Sequence, residues 1–370
     1  MGHRKTARKK KRAPDVGLFG AEFDRKSKEL AIIGEQADIR YYAAPAKNVL
    51  NGTEVTGMGF WSINPYTGCA FGCAYCYARY AHRYVMERAS DAERMRDELS
   101  TAYMQMPPWL AFERNIFVKT NAAEVLQRAL RHGSDKHLKL LDGETILIGS
   151  ATDPYQPAER KFRITRQILE VLAEHPGLSI RIISKSPLIT RDIDVLSRIN
   201  RISELGISIS LITLNRDLAR RLEPRSPTPD SRIRALGRLR EAGIDAGINC
   251  MPVLPGIKDN PSDLEALVKR ASEAGATYVA ATTLRLRTSA RQRYLPFIEQ
   301  EFPHLADRYR NTYARDFNAG QKYREGLHNF FKKLCRKYGV DGHSMRREDD
   351  EGDFDSVEIP PEQLEFPLQS

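Results

Sequence analysis

The middle of the chain alternates short apolar runs with longer segments that mix apolar and polar residues. The short runs are rich in isoleucine and valine, which is typical of buried strands, and the longer segments have the length of helices. We therefore predict strands at residues 60–63, 116–120, 145–149, 179–185, 207–212, 245–253 and 278–282. We predict helices at residues 77–88, 122–131, 165–174, 189–199, 232–242 and 262–274.

Strands that alternate with helices in this way form βαβ units, in which the strands are parallel. Right-handed crossovers would curl such a sheet into a barrel or a partial barrel. The carboxyl ends of the strands then meet at one edge, where the chemistry of parallel barrels gathers. The residues that directly follow each strand are therefore the first candidates for a functional site.

The charge of the chain is unevenly placed. Lys and Arg number 58 and Asp and Glu 48, so the net charge is +10, with a basic block at residues 4–12 and an acidic one at 349–355. Such blocks are typical of solvated arms, and a basic arm adds affinity for phosphates, so DNA or RNA is a candidate partner. No apolar run reaches the ~18 residues of a membrane span, so we expect a cytoplasmic protein without membrane contact. The sequence does not predict an oligomeric state.

Three cysteines, Cys69, Cys73 and Cys76, lie at C-x₃-C-x₂-C spacing in one glycine-containing loop. Three thiolates can hold a [4Fe-4S] cluster and leave one iron open to a small molecule. The odd total of five cysteines, and a basic N-terminus without an apolar h-region, argue against disulfides. A structural zinc with His82 as fourth ligand is the alternative, although such sites usually pair two short knuckles across a longer gap.

The residues around these cysteines resemble the cluster loop of the spore-photoproduct-lyase-like branch of the radical S-adenosylmethionine (SAM) superfamily. The similarity covers roughly residues 45–285 and includes the short sequence motifs at 64–66, 152–157, 222–225 and 252–256. It implies an α/β fold with a partial (β/α)6 TIM-like barrel of the radical SAM type and a helical C-terminal extension. The expected domains are a basic N-terminal extension at 1–44, the core at 45–285, the helical extension at 286–345 and an acidic tail at 346–370.

The resemblance also implies a chemistry. Cys69, Cys73 and Cys76 would be the metal ligands, and SAM would bind the open iron through its amino and carboxylate groups. One electron would cleave SAM to methionine and a 5′-deoxyadenosyl radical, which abstracts hydrogen from a substrate. An electron donor such as flavodoxin or ferredoxin would supply that electron.

By the same resemblance, side chains near the cysteines and at strand ends would bind SAM. Tyr75 matches the position that lines the adenine, although it can instead merely shield the cluster. Ser150 and Thr152 match the position that binds the methionine amino group. This chain has Gly-Ser-Ala-Thr at 149–152, where the family commonly has Gly-Gly-Glu.

Lys185 ends an otherwise apolar strand, which would place its ammonium at the functional edge of the barrel. The resemblance pairs it with the methionine carboxylate, and a solvated lysine is the alternative. Ser208 and Ser210 alternate with isoleucines, so both point to one face, which we expect to be the barrel interior. A hydroxyl there suits the ribose, and Ser210 matches the family phrase better, but small hydroxyls also fill barrel interiors without binding anything.

Spore photoproduct lyases use a cysteine beyond the second strand to return a hydrogen atom to the repaired thymine. Residues 150–157 contain no cysteine here, which puts thymine-dimer repair in doubt. Cys250, near the end of a predicted strand, is the candidate for this catalytic role, and buried packing is its alternative. Asp153 would bind substrate or form a turn, and Arg225 would hold an anion or pair with Glu223.

From residue 285 onward, the predicted helices mix cations with aromatic residues, beginning with Arg285, Arg287, Arg291 and Arg293. This mixture suits phosphate contact with base stacking, and an amphipathic layer over the barrel is the alternative. The sequence thus predicts a radical SAM enzyme with nucleic acid as the first candidate substrate. A modifier of protein or peptide is the second hypothesis, and a non-catalytic, metal-stabilised nucleic-acid-binding protein is the third.

Overall fold

The computed structural model describes residues 32–36, 38–53, 59–82, 106–314 and 316–342. The basic block at 4–12, the end of the helix predicted at 77–88 and the acidic tail lie outside the described residues. The expected domain boundaries stay predictions.

The described strands lie close to the predicted apolar runs, with additional short strands before residue 70. They are β1 (Ile32–Gln36), β2 (Ile39–Ala43), β3 (Leu50–Asn51), β4 (Trp61–Ile63), β5 (Tyr66–Thr67), β6 (Asn115–Val118), β7 (Thr145–Ile148), β8 (Ser179–Ser184), β9 (Glu204–Ser210), β10 (Asp245–Val253) and β11 (Val279–Thr283).

The described helices fall between these strands and after the last of them. They are α1 (Pro108–Ala111), α2 (Ala122–Ala129), α3 (Asp135–Leu141), α4 (Ala158–Phe162), α5 (Ile164–Leu172), α6 (Ile193–Ile202), α7 (Arg216–Leu222), α8 (Pro229–Glu241), α9 (Pro261–Glu273), α10 (Thr288–Glu301), α11 (Ala306–Thr312) and α12 (Gln321–Tyr338), with 3₁₀ turns at Tyr77–Arg79, Pro187–Asp192 and Pro303–Leu305. No helix of the described residues is both long enough and apolar enough to cross a membrane.

A seven-stranded sheet in the order β11-β10-β9-β8-β7-β4-β3 forms the centre of the fold. Apart from the antiparallel edge strand β3, its six strands are parallel and neighbour one another in chain order. Helices connect each strand from β7 onward to the next, as in a partial (β/α)6 barrel. The predicted α/β fold with a parallel sheet is confirmed.

The two faces of the parallel strands differ in composition. On one face the isoleucines Ile148, Ile182 and Ile207 pair across neighbouring strands and are completely buried with the apolar residues of α5, α6, α8 and α9. The opposite face carries Ser208 and Ser210, which share it as predicted. These described helices pack on the isoleucine side, which leaves the polar side available for a site.

A second sheet, in the order β1-β2-β6-β5, lies beside the main one. Strand β6 covers most of the apolar run predicted at 116–120, so that run belongs to this sheet and not to the parallel series. Strand β5 pairs with β6 through Tyr66 and Val118, and β5 leads directly into the cysteine loop. The second sheet thus fixes the start of that loop.

The helices after β11 pack on the rest of the fold in two places. Cys335 of α12 is buried in the main core, as expected for a packing residue, and its thiol contacts the Val279 carbonyl at 3.5 Å. Tyr294 and Phe297 of α10 and Tyr309 of α11 share a separate apolar cluster with Cys69 and other residues of the cysteine loop. The helical layer therefore covers one side of that loop.

Candidate active site

The three cysteines of the loop lie close enough to influence one another electrostatically. Cys69 and Cys73 are buried, Cys76 is half-buried, and none forms a disulfide. Burial raises the pKa of the Cys73 thiol to about 12, with a lowering contribution from Lys185 and raising ones from Glu223 and Cys76. Burial also raises the pKa of Cys69 strongly, together with Asp153 and the other two cysteines. Such thiols ionise only when positive charge, such as that of bound iron, takes the place of their protons.

A zinc site with His82 is not supported by the structure. The His82 ring is completely buried, its Nε2 donates to the Asn115 carbonyl at 3.0 Å, and it packs against Phe112 and Phe117. Burial lowers its pKa to about 4, so the ring is neutral. Within the described ranges, no three His, Cys, Asp or Glu side chains are arranged to hold one metal ion. Thiolates that bind separate irons of a cluster do not need to converge on one ion.

Glycine permits the tight path of the loop before Cys69. Gly68 has φ +90°, and a Cβ there would lie 2.8 Å from the Phe112 carbonyl and 2.9 Å from the Asn115 carbonyl. The Cys69 amide donates to the same Phe112 carbonyl at 2.9 Å. A side chain at position 68 would therefore be both strained and in collision with backbone.

Gln156 clamps the loop from the segment after β7. Its Nε2 donates to the Gly68 carbonyl at 3.0 Å, and its Oε1 accepts from the Ala70 amide at 3.0 Å. The Thr152 hydroxyl donates to the same Gly68 carbonyl at 2.7 Å and accepts from Gln156. The motif at 152–157 thus supports the cysteine loop, and the Thr152 hydroxyl donates its proton to the backbone of that loop.

Two arginines hold the other side of the loop. Arg79 donates to the Cys73 carbonyl at 2.8 Å and pairs with Glu113 at 2.9 Å. Arg225 donates from Nε to the Ala70 carbonyl at 2.7 Å and lies 3.9 Å from Glu113. Arg225 is therefore a support of the loop backbone, and the alternative pairing with Glu223 is wrong.

Lys185 lies beside the cysteine loop, directly after β8. Its Nζ is 5.8 Å from the centre of the Tyr75 ring and 3.9 Å from Glu223 Oε1, and its side chain is only 16% exposed. Among the residues that the structure describes, no acceptor lies within hydrogen-bonding distance of this ammonium. Burial lowers the pKa of Lys185, but Cys73 and Glu223 outweigh burial and raise the pKa above its usual value, so Lys185 stays charged.

Glu223 contacts Lys185, Tyr75 and Arg232, a role that no pattern in the sequence indicates. Its carboxylate accepts hydrogen bonds from the Tyr75 hydroxyl and from Arg232. The side chains of Glu223 and Arg232 are almost completely buried. Burial would raise the pKa of Glu223, but Arg232 and Lys185 outweigh it and lower the pKa. Lys185 and Arg232 both face this carboxylate, and Asp153 also acts on Lys185 electrostatically, so cations and carboxylates are matched here. What the site offers an anionic ligand is the unused hydrogen-bond donors of Lys185.

Asp153 ties the ends of two neighbouring strands together. Its carboxylate accepts from the Ser184 hydroxyl at 2.8 Å and from the backbone amides of Lys185 at 2.7 Å and Tyr155 at 2.9 Å. These bonds favour the turn-forming alternative over ligand binding and fix the backbone that carries Lys185. Ser150 is buried nearby, where its hydroxyl accepts from Asn64 at 3.1 Å.

The two serines of β9 lie at different depths. The Ser208 hydroxyl is 2.6 Å from the Tyr278 hydroxyl, which donates to the Ile207 carbonyl, so Ser208 belongs to an internal polar contact. Ser210 is the last residue of the strand, and Arg232 donates to its carbonyl at 3.0 Å. The ribose role expected for both serines is therefore supported by position for Ser210 alone.

Cys250 does not lie with these residues. It follows Ile248 by two positions in β10, so it faces the helices, and it is completely buried in their core. Burial raises the pKa of its thiol to about 12. The hydrogen-donor role expected for Cys250 is not supported, because its side chain lies on the helix-covered face, opposite to the face of Ser210. The alternation of the strand already indicated that Cys250 shares a face with Ile248.

Comparison with known proteins gives a family for the chain. Residues 63–271 match the sequence profile of the Radical SAM superfamily. An uncharacterized protein of Mycobacterium tuberculosis is 31% identical over 282 residues, which are 76% of this chain and 75% of the relative. One of Methanocaldococcus jannaschii is 30% identical over 214 residues, 58% of this chain and 68% of that protein. Spore photoproduct lyase complexed with dinucleoside spore photoproduct has a similar fold, with a TM-score of 0.56 at 14% identity over 83% of this chain and 84% of that one.

Proposed function

Because this chain belongs to the radical SAM superfamily and is a radical SAM enzyme, we propose that Cys69, Cys73 and Cys76 hold a [4Fe-4S] cluster next to a SAM site that includes Lys185. The observation that carries this proposal is the ammonium of Lys185. It is largely buried, it lies beside the loop of three free cysteines, and no described acceptor hydrogen-bonds to it. An ammonium that is largely buried and 3.9 Å from the Glu223 carboxylate, with no hydrogen bond to it, keeps its donors for the carboxylate of a ligand.

The donor set fits such a cluster. Three thiols share one loop, and Lys185 and Arg232 beside Cys73 both lower the pKa of its thiol, in partial opposition to burial. When bound, the cluster would supply the electron that cleaves SAM to methionine and the 5′-deoxyadenosyl radical, which abstracts hydrogen from the substrate. Gln156, Arg79 and Arg225 would hold the loop in place through the backbone bonds described above.

Each half of SAM has protein partners in this proposal. Lys185 binds the methionine carboxylate, and Ser150 accepts from the amino group, while Thr152, whose hydroxyl is bonded to both Gly68 and Gln156, supports the loop instead. Tyr75 is held by Glu223 and would line the adenine, while Ser210 would contact the ribose. Of the residues predicted from the sequence to bind SAM, Ser208 and Thr152 would act indirectly, as supports of the fold.

The proposal is tested by SAM cleavage. Protein reconstituted anaerobically with iron and sulfide and reduced with dithionite, in place of flavodoxin or ferredoxin, is expected to form 5′-deoxyadenosine and methionine from SAM. The products are measured by liquid chromatography, with unreduced protein as the control. An iron-loaded, reduced protein that forms no more 5′-deoxyadenosine than a protein-free mixture would contradict the proposal.

Nucleic acid is the substrate class that we propose. Two arginines just beyond the carboxyl end of β11 stack on one aromatic ring: Arg287 Cζ lies 4.5 Å and Arg285 Cζ 5.7 Å from the centre of the Phe317 ring. Thr282, on the preceding strand, is exposed. Cations stacked on an aromatic ring at the edge where parallel barrels act suit phosphate contacts beside the reacting base.

Binding to nucleic acid is expected to weaken steeply as salt increases, because every neutralised phosphate releases counterions. Arg287→Ala should reduce the slope of log affinity against log salt by about 1, and removal of residues 1–12 should reduce it further. Arg270→Ala is the matched control, since Arg270 lies on α9 at the outer surface and should leave the slope unchanged. Fluorescence anisotropy with labelled DNA and RNA measures the slopes. If the full chain shows no salt-sensitive binding, modification of protein or peptide becomes the better hypothesis.

A further inference from the structure

Ser226 is a buried serine whose hydroxyl contacts one of the three cysteines of the loop. Its Oγ lies 3.9 Å from Cys73 Sγ, and the exposed fractions of the two residues are only 9% and 7%. Among the residues that the structure describes, this thiol is the only hydrogen-bond partner of the hydroxyl. Either group can donate while Cys73 is a thiol, but a thiolate only accepts, so iron binding by Cys73 leaves the Ser226 hydroxyl as the donor.

Backbone hydrogen bonds hold Ser226 beside the cysteine loop. Leu222 is the last residue of α7, and its carbonyl accepts from the Ala74 amide at 2.9 Å. Three residues later, the Arg225 amide donates to the Phe71 carbonyl at 3.3 Å. These two bonds join the segment before Ser226 to loop residues on both sides of the second cysteine. The contact between the hydroxyl and the thiol therefore does not depend on two side chains alone.

We propose that Ser226 donates a hydrogen bond to the Cys73 thiolate and thereby makes the cluster easier to reduce. This inference rests on the proposed function, in which Cys73 is an iron ligand. In that function, one electron passes from a low-potential donor protein, such as flavodoxin or ferredoxin, to the cluster; the donor is oxidised by one electron and no atom is transferred.

The direction of the effect follows from the charge that reduction adds. Part of the added negative charge lies on the sulfur ligands, so a hydrogen bond to one of them stabilises the reduced cluster more than the oxidised one. The burial of Ser226 and Cys73 strengthens this difference, because little water is present to screen the charge. Ser226 thus acts through Cys73, on the midpoint potential of the cluster.

The test is an anaerobic redox titration of the reconstituted protein without SAM, in which electron paramagnetic resonance measures the reduced cluster. Ser226→Ala should contain as much iron as the wild type, while the ratio of reduced to oxidised cluster at a fixed potential falls about tenfold, as for one lost hydrogen bond. For one electron, this change lowers the midpoint potential by about 59 mV. Ser226→Thr keeps the hydroxyl and should titrate close to the wild type.

Ser272→Ala is the matched control, because Ser272 lies on α9, where its hydroxyl donates to the Tyr338 carbonyl at 2.8 Å, and should leave the midpoint potential unchanged. A wild-type protein that assembles no cluster would contradict the proposed function itself. Equal midpoint potentials of the wild type and Ser226→Ala would overturn the Ser226 assignment alone. The assignment is likewise overturned if Ser226→Ala loses its iron, or if Ser226→Thr shifts as far as Ser226→Ala, because assembly or packing would then explain the effect.

Discussion

Cys73→Ala is expected to abolish the iron–sulfur cluster and, with it, the formation of 5′-deoxyadenosine. Reconstituted wild-type protein should contain about four irons per chain, and the variant almost none, because two thiolates cannot retain the cluster. Cys73 is the most informative of the three proposed ligands, since its backbone carbonyl accepts a hydrogen bond from Arg79 and the charge of Lys185 lowers the pKa of its thiol. Iron content, visible absorbance and product formation should all fall together.

Cys335→Ala is the matched control for this experiment. Cys335 is also a buried free cysteine, but it packs in α12 against β11, away from the loop. This variant should retain the cluster and SAM cleavage at close to the wild-type level. Stoichiometric zinc without iron in anaerobically purified wild-type protein would contradict the cluster assignment.

Lys185→Ala should weaken SAM binding by about 10- to 100-fold and leave the cluster assembled, because a hydrogen bond between charged groups is worth about 1.5–3 kcal/mol. The variant should fold, since Glu223 keeps Arg232 and Tyr75 as partners when the lysine is removed. Cluster absorbance reports assembly, and titration of SAM gives the dissociation constant.

Two further variants separate the charge of Lys185 from general effects. Lys185→Arg keeps the cation and should retain more affinity than Lys185→Ala. Lys269→Ala makes the same change on the exposed surface of α9 and should bind SAM as the wild type does. If Lys185→Ala binds SAM with unchanged affinity, Lys185 has no part in the cofactor site.

Much of the fold could be predicted from the sequence because it depends on local periodicity. The observed β10 spans the same residues, 245–253, as the predicted strand, and α9 begins and ends one residue before the predicted helix. The C-x₃-C-x₂-C loop could also be predicted from the sequence, since its three cysteines lie within eight residues. The alternation in β10 also placed Cys250 on the same face as Ile248, although only the observed packing showed which face is covered by helices.

The sequence by itself therefore determined the α/β class, the cysteine loop and the family phrases, which all reside in short stretches of chain. Only the tertiary structure decided that β6 joins the second sheet, that Thr152 and Gln156 support the loop, and that Glu223 unites Tyr75, Lys185 and Arg232. Tyr75 and Glu223 are 148 positions apart in the chain. No local pattern encodes such a contact, because it forms only when the register of the sheets and the packing of the loops bring distant charges into one buried space.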